Sequence, residues 1–370
     1  MASKILTAAD VDKNLQVSAP SPEPDAVFYD VRHEPFDLYG VFYSEQQRGF
    51  CRMPREAAEA VSPGVAAIYR NAAGGRVRFA TDSCYISIRC ALSQIARFPH
   101  MPLTGSAGID IYVDDPATGA TRYAHTFVPP LDVQNGYSST LRFHTPKMRY
   151  ITLHLPLYTS LDALYIGLQK DARVERGLAY RPIAPVVYYG SSITQGGCAS
   201  RPGNAYPNVV TQRTGIDHIN LGFSGNAKAE SAMANYIAGL DMSAFVCDYD
   251  HNAPGVDHLR KTHEPLYRTI REKHPTLPYI MLSRHDVDNG PYLGVLERRN
   301  VIYETYRKAV SEGDKNVYFI DGERLMSGPY ANMALVDNCH PTDLGFALMA
   351  DVVTDVLLRA LSALHPNDEK

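Results

Sequence analysis

The second half of the chain alternates short apolar runs with longer amphipathic stretches. The runs Pro185–Tyr189, Ile216–Leu221, Ala244–Tyr249, Pro278–Ser283 and Asn316–Ile320 are brief and bounded by polar or glycine-containing segments, a pattern that predicts buried strands. Helical spacing predicts helices between them, over about 204–213, 227–239, 257–273 and 293–312. A last helix, about 342–363, opens on Pro341-Thr342 and repeats Leu344, Ala347, Leu348, Val352 and Val356 on one face. Strand–helix units in unbroken succession predict a parallel sheet with helices on both faces. Right-handed crossovers then give a flavodoxin-like three-layer α/β/α sandwich.

The first half has a different rhythm. Val65–Tyr69, Arg76–Ala80, Tyr85–Leu92, Gly108–Val113, Arg122–Phe127, Ser138–Phe143, Tyr150–Leu155 and Ala163–Leu168 cluster or alternate apolar residues over a few positions. Ala73-Gly74-Gly75, Asp114-Asp115-Pro116 and Gln134-Asn135-Gly136 supply turn chemistry between them. Many short strands at this spacing predict an antiparallel β-sandwich of jelly-roll type. Residues 1–30 are polar and read as an arm, and 170–182, with Arg173, Arg176, Arg181 and Gly177, reads as a linker. The expected organisation is an arm at 1–30, a β-sandwich domain at 31–180 and an α/β domain at 181–370.

Composition narrows the function classes. A formal net charge of −4 with no basic block argues against a nucleic-acid partner. No stretch approaches the roughly 18 apolar residues of a membrane span, so no membrane partner is expected. The start lacks the basic and apolar regions of a secretory leader, and the six cysteines are scattered without paired spacing. Cys84 and Cys90 lie too far apart along an extended strand to bridge. Free thiols in a reducing cytoplasm are the expectation, with a homo-oligomer left open. Trp is absent and Tyr numbers 24, so any sugar stacking would fall to tyrosine.

Polar residues collect just after the predicted strands, where open α/β sheets bind ligands. Ser192 follows the first strand, Gly222-Phe223-Ser224-Gly225-Asn226 the second and Asp250-His251-Asn252 the third. Asp337-Asn338-Cys339-His340-Pro341-Thr342 follows the last strand and a long loop. Together they supply what acyl transfer needs. A serine hydroxyl attacks well only when a base takes its proton, and His340 suits that role, with Asp337 to fix its tautomer. The backbone N–H groups of Ser192 and Gly225 and the side-chain amide of Asn252 fit an oxyanion hole. Capping explains Ser192 and Asn252 as well, and a tight turn explains Gly225. Gln195, Arg201, Tyr206, His251 and Tyr292 are candidate substrate contacts, although a solvated face accounts equally for Arg201 and His251. His285-Asp286-Val287-Asp288 lacks a recognised ligand spacing and reads as a polar loop, and Cys198 and Cys339 as packing. No cofactor or metal is expected.

In order, these blocks resemble the SGNH (GDSL-type) hydrolase superfamily over about residues 183–363. Gly190-Ser191-Ser192 stands for the Ser block, Gly225 for the Gly, Asn252 for the Asn, and Asp337 with His340 for the Asp-x-x-His. The third block departs from Gly-x-Asn-Asp, since Asp250-His251-Asn252-Ala253 keeps only the Asn. Phe36-Asp37-Leu38-Tyr39, with Pro35 in place of Gly, is similar to the signature of the GxDLY domain that precedes such esterases in bacteria. The resemblance implies a serine esterase acting on acyl groups, acetyl foremost, of carbohydrate. Within it, similarity to carbohydrate esterase family seventeen implies acetylated β-manno-oligosaccharides as substrate. A lipase or thioesterase, or a sugar-binding protein without turnover, is the alternative.

Overall fold

The structure is a computed structural model and describes residues 23–285 and 294–364. Its first strands are β1 (Ala26–Asp30), β2 (Asp37–Tyr39), β3 (Phe42–Ser44), β4 (Gly49–Cys51), β5 (Arg76–Thr81) and β6 (Tyr85–Ser93). They are followed by β7 (Ile109–Asp114), β8 (Thr121–Phe127), β9 (Gly136–Arg142), β10 (Arg149–His154), β11 (Ser160–Gln169) and β12 (Val174–Arg176). One antiparallel sheet runs β1-β11-β6-β9 and a second runs β12-β5-β10-β7-β8, with β2 beside β5. Period-two alternation explains the packing. Val77 and Phe79 of β5 lie opposite Leu153 and Ile151 of β10, and all four are fully buried in the core between the sheets.

Three expectations need correction here. Val65–Tyr69 is not a strand: Pro63–Ile68 is a helix, with Pro63 in its first turn and the Ser62 hydroxyl accepting the Val65 N–H at 3.3 Å. Part of the supposed arm, Ala26–Asp30, is an edge strand paired with β11. The supposed linker contributes β12, which pairs Val174 with Thr81 of β5.

The second half forms a parallel sheet of β13 (Val186–Gly190), β14 (His218–Gly222), β15 (Ala244–Asp248), β16 (Tyr279–Leu282) and β17 (Val317–Ile320), in the order β14-β13-β15-β16-β17. Every residue of β13 is buried because both faces are covered. Val187 and Tyr189 pack toward the helices Ser231–Ala238, Val256–Lys273 and Val295–Ser311. Val186 and Tyr188 pack toward Tyr206–Thr214 and Asp343–Leu364. The three-layer architecture therefore follows from runs apolar on both faces. Among the described residues no helix is long and apolar enough to cross a membrane. Cys51, Cys84, Cys90, Cys198 and Cys247 are free thiols.

The β-sandwich is seated on the rim of the parallel sheet. Arg76 and Arg78 face away from the sandwich core, yet both are buried. Arg76 reaches across to Asp217 and donates to the His218 carbonyl at 3.0 Å. Arg52 is the deepest tie. Its guanidinium donates to the carbonyls of Gly222 at 2.6 Å, Asn220 at 3.1 Å and Ile68 at 3.0 Å, over the Phe223 ring. Burial draws its pKa down to about 9. Replacing it by methionine keeps apolar bulk but orphans these carbonyls, each worth roughly 1–3 kcal/mol when left unsatisfied. Arg52→Met is expected to lower stability by about 3 kcal/mol in a urea titration, and a change within about 0.5 kcal/mol would show that water replaces the guanidinium at no cost.

Candidate active site

Gly190 ends β13 and the chain enters a single helical turn, Ser192–Gln195, whose N-cap Ser191 accepts the Ile193 N–H at 3.1 Å. This turn holds Ser192 at the carboxyl edge of the sheet. The Ser192 hydroxyl lies 2.8 Å from His340 Nε2. On the other side of the ring, His340 Nδ1 lies 2.9 Å from Asp337 Oδ2. The Asp337 carboxylate also accepts the backbone N–H groups of His340 at 2.7 Å and Cys339 at 3.3 Å. Asn338, with φ 63, makes the left-handed bend that lets one carboxylate serve both backbone and ring. Burial pushes the Asp337 carboxyl up, but the hydrogen bonds from the His340 amide and ring outweigh it and hold the group below its ordinary value.

The loop after β14 approaches from one side. Gly222 is required there, since a Cβ would stand 2.2 Å from the Gln195 amide nitrogen. Gly225 has φ +71, a conformation that glycine adopts without strain. Asn252 accepts the Ala227 N–H through Oδ1 at 3.2 Å, which turns the NH2 end of its amide away from that contact. Ser192, Gly225 and Asn252 thus lie on neighbouring strand ends, as the sequence predicts.

The expected substrate contacts fare differently. Gln195 is fully buried and braces the machinery instead: Oε1 accepts the Ser224 N–H at 2.9 Å, and Nε2 donates to Asn71 Oδ1 at 3.1 Å and the Leu157 carbonyl at 3.0 Å. Tyr206 is no sugar platform. It is fully buried, its hydroxyl 3.2 Å from Asp248, whose own pKa burial raises to about 7. Arg201 belongs to the domain seam, where it donates to Asp110 at 3.0 Å and lies over the Tyr123 ring. His251 lies behind the His340 loop, with Nδ1 3.6 Å from Cys339 Sγ. Tyr292 falls outside the described residues, as do Asp286 and Asp288.

The sandwich domain brings residues that local sequence could not reveal. The Tyr158 hydroxyl donates to the Ser192 carbonyl at 3.2 Å. His100 Nε2 lies 3.5 Å from Asp337 Oδ2, its ring centroid 5.6 Å from that of His340. From the α/β domain itself, His285 Nε2 lies 2.8 Å from the Cys339 carbonyl and steadies the same loop. His100, Cys198 and His340 also place one possible metal-ligating atom each within 4.8 Å of one another. Beside Ser224 opens a cavity of about 250 Å³ walled by Ile68, Asn71, Gln94, Phe98 and Tyr158. Larger hollows of about 650 and 710 Å³ lie beside Tyr180 and beside the C-terminal helix, away from Ser192 and His340.

With this geometry in place, family comparison decides the class. Residues 183–358 match the model of the GDSL-like lipase/acylhydrolase family. This domain belongs to that family. Residues 26–174 match the GxDLY domain, described as the N-terminus of SGNH-hydrolase-type esterases. The whole chain is similar to a protein of Bacteroides ovatus ATCC 8483 described as a GDSL-like lipase, with 27% identity, a TM-score of 0.81, and coverage of 91% of this chain and 98% of that one. The fold is shared with the salicylyl-acyltransferase SsfX3 of a tetracycline biosynthetic pathway, at 19% identity and TM-score 0.73, covering 94% of this chain and 100% of that one. It is also shared with a family two carbohydrate esterase from Clostridium thermocellum, at 13% identity and TM-score 0.58, covering 88% and 99%. No curated protein matches the chain.

For the acylhydrolase domain, Asp337→Asn keeps the shape but loses the charge that fixes and stabilises the His340 ring. Its kcat is expected to drop on the order of 10⁴-fold while the melting curve stays near wild type, by analogy with other serine triads; near-normal turnover would remove Asp337 from the chemistry. Because Asp337 stays ionised below its ordinary range, the acid-side loss of kcat/KM is expected to follow charging of an imidazole. A rate that is flat down to pH values where only carboxyls titrate would contradict a histidine base.

Proposed function

We propose that the protein is a serine esterase that needs no metal and removes short acyl groups, acetyl foremost, from the hydroxyls of an oligosaccharide. The observation that carries this reading is the hydrogen-bonded series from Ser192 Oγ through His340 Nε2 and Nδ1 to Asp337, with distances of 2.8 and 2.9 Å. In this mechanism Ser192 attacks the ester carbonyl as His340 Nε2 takes its proton. Asp337 stabilises the imidazolium that forms. The Ser192 and Gly225 N–H groups and the Asn252 amide receive the oxyanion, each worth roughly 3–4 kcal/mol of transition-state stabilisation. The alcohol leaves with the proton from His340, and water then cleaves the acyl-enzyme with His340 again as base.

The short acyl group is supported by the small size of the cavity beside Ser224, about 250 Å³ and lined by Phe98, Tyr158 and Ile68. The carbohydrate alcohol is supported by the resemblance to carbohydrate esterases, and acetylated β-manno-oligosaccharides are the first candidates. A lipase or thioesterase with the same triad would need a longer apolar groove.

The test is acetate release from acetylated manno-, xylo- and chito-oligosaccharides, wild type beside Ser192→Ala. Release from one sugar, abolished in the variant and unchanged by EDTA, is expected. Faster turnover of long-chain than of acetyl esters would replace the reading by a lipase or thioesterase. Tight sugar binding with no release from any ester would replace it by a binding protein.

A further inference from the structure

The sandwich loop carrying His100 reaches the edge of the proposed triad, and the contact there has a chemistry of its own. His100 sits in a short turn beside Phe98 and Met101, its side chain 37% exposed. Cys198 lies just past the nucleophile turn, held at φ 75. Potential donor atoms of His100, Cys198 and His340 all lie within 4.8 Å of one another. Two imidazoles and a thiol form a donor set that suits zinc, or another thiophilic divalent ion, far better than magnesium or calcium.

We propose that His100, Cys198 and His340 form an inhibitory site for a thiophilic divalent cation, with zinc as the natural occupant. Bonds of about 2.0–2.1 Å to nitrogen and 2.3 Å to sulfur put tetrahedral ligands roughly 3.3–3.7 Å apart. The ligands must therefore close by at most about 1.1–1.5 Å, a movement to which the exposed His100 side chain contributes by changing rotamer. On binding, the Cys198 thiol gives its proton to solvent, both imidazoles bind as neutral donors, and the fourth position stays open to water. The ion takes a ring lone pair of His340. The imidazole then cannot both accept the Ser192 proton and keep its bond to Asp337, so hydrolysis stops until the metal leaves. The ligands come from both domains, so the same ion also pins the sandwich against the hydrolase domain.

The inhibitory consequence rests on His340 being the base, whereas occupancy does not, so the two are tested apart. Occupancy is read with cobalt as a probe in the Ser192→Ala protein. A near-ultraviolet thiolate-to-cobalt absorption that saturates at one ion per chain, is displaced by zinc, and is lost when Cys198→Ser is added is the expected result. Inhibition is read in the active protein. Zinc should lower ester hydrolysis and EDTA should restore it. Cys198→Ser, which leaves the proposed catalytic groups in place, should keep metal-free activity within about twofold and raise the inhibiting zinc concentration by roughly tenfold or more. His100→Ala should raise it likewise. Equal zinc sensitivity in wild type and Cys198→Ser, or no Cys198-dependent cobalt absorption, overturns the proposal. A Cys198-dependent cobalt absorption in a protein that hydrolyses no ester would keep the site and remove the esterase reading instead.

Discussion

The Asp337 carboxylate is the fixed point of the site. It accepts two backbone N–H groups of its own loop and the His340 ring, so one charge shapes the turn, sets the tautomer and aims Nε2 at Ser192. A carboxylate with fewer bonds would be easier to protonate, and a ring with no partner at Nδ1 would be free to flip. The pairing is local in sequence, which places the proposed base and its orienter on one loop, closed by the Val336 N–H to the His340 carbonyl at 2.9 Å. Ser192, the proposed nucleophile, follows a different strand, and the parallel sheet supplies the rigid frame that keeps the two together.

The second constraint is the seating of the β-sandwich. Arg52 binds the last carbonyls of β14, Gln195 braces Ser224 while holding Asn71 and Leu157, and Tyr158 holds the Ser192 carbonyl. The loop that presents Gly225 is thus held by residues of both domains. The N-terminal domain is part of the architecture of the site and also walls the cavity beside it. A sandwich shifted by an ångström would loosen the proposed oxyanion donors before it disturbed the hydrolase core.

Much of this was legible in the sequence because it is periodic or local. The parallel strands announce themselves as runs apolar on both faces, and Asp337 with His340 as a short spaced pair. What failed had no such signal. The helix Pro63–Ile68 is the exception, a short apolar run whose helical character is marked only by Ser62-Pro63 at its start. Gln195 and Tyr206 look like substrate contacts because polar groups near a nucleophile suggest a pocket, but their partners, Ser224 and Asp248, lie on other strands. His100 is close to His340 only in space, joined to it by the docking of two domains.

The most direct test of the central claim is covalent labelling by a small fluorophosphonate followed by peptide mass spectrometry. The account predicts one adduct per chain, on Ser192, formed far more slowly in His340→Ala. Rapid ester hydrolysis with no adduct, or an adduct on another residue that accounts for all the lost activity, would contradict it.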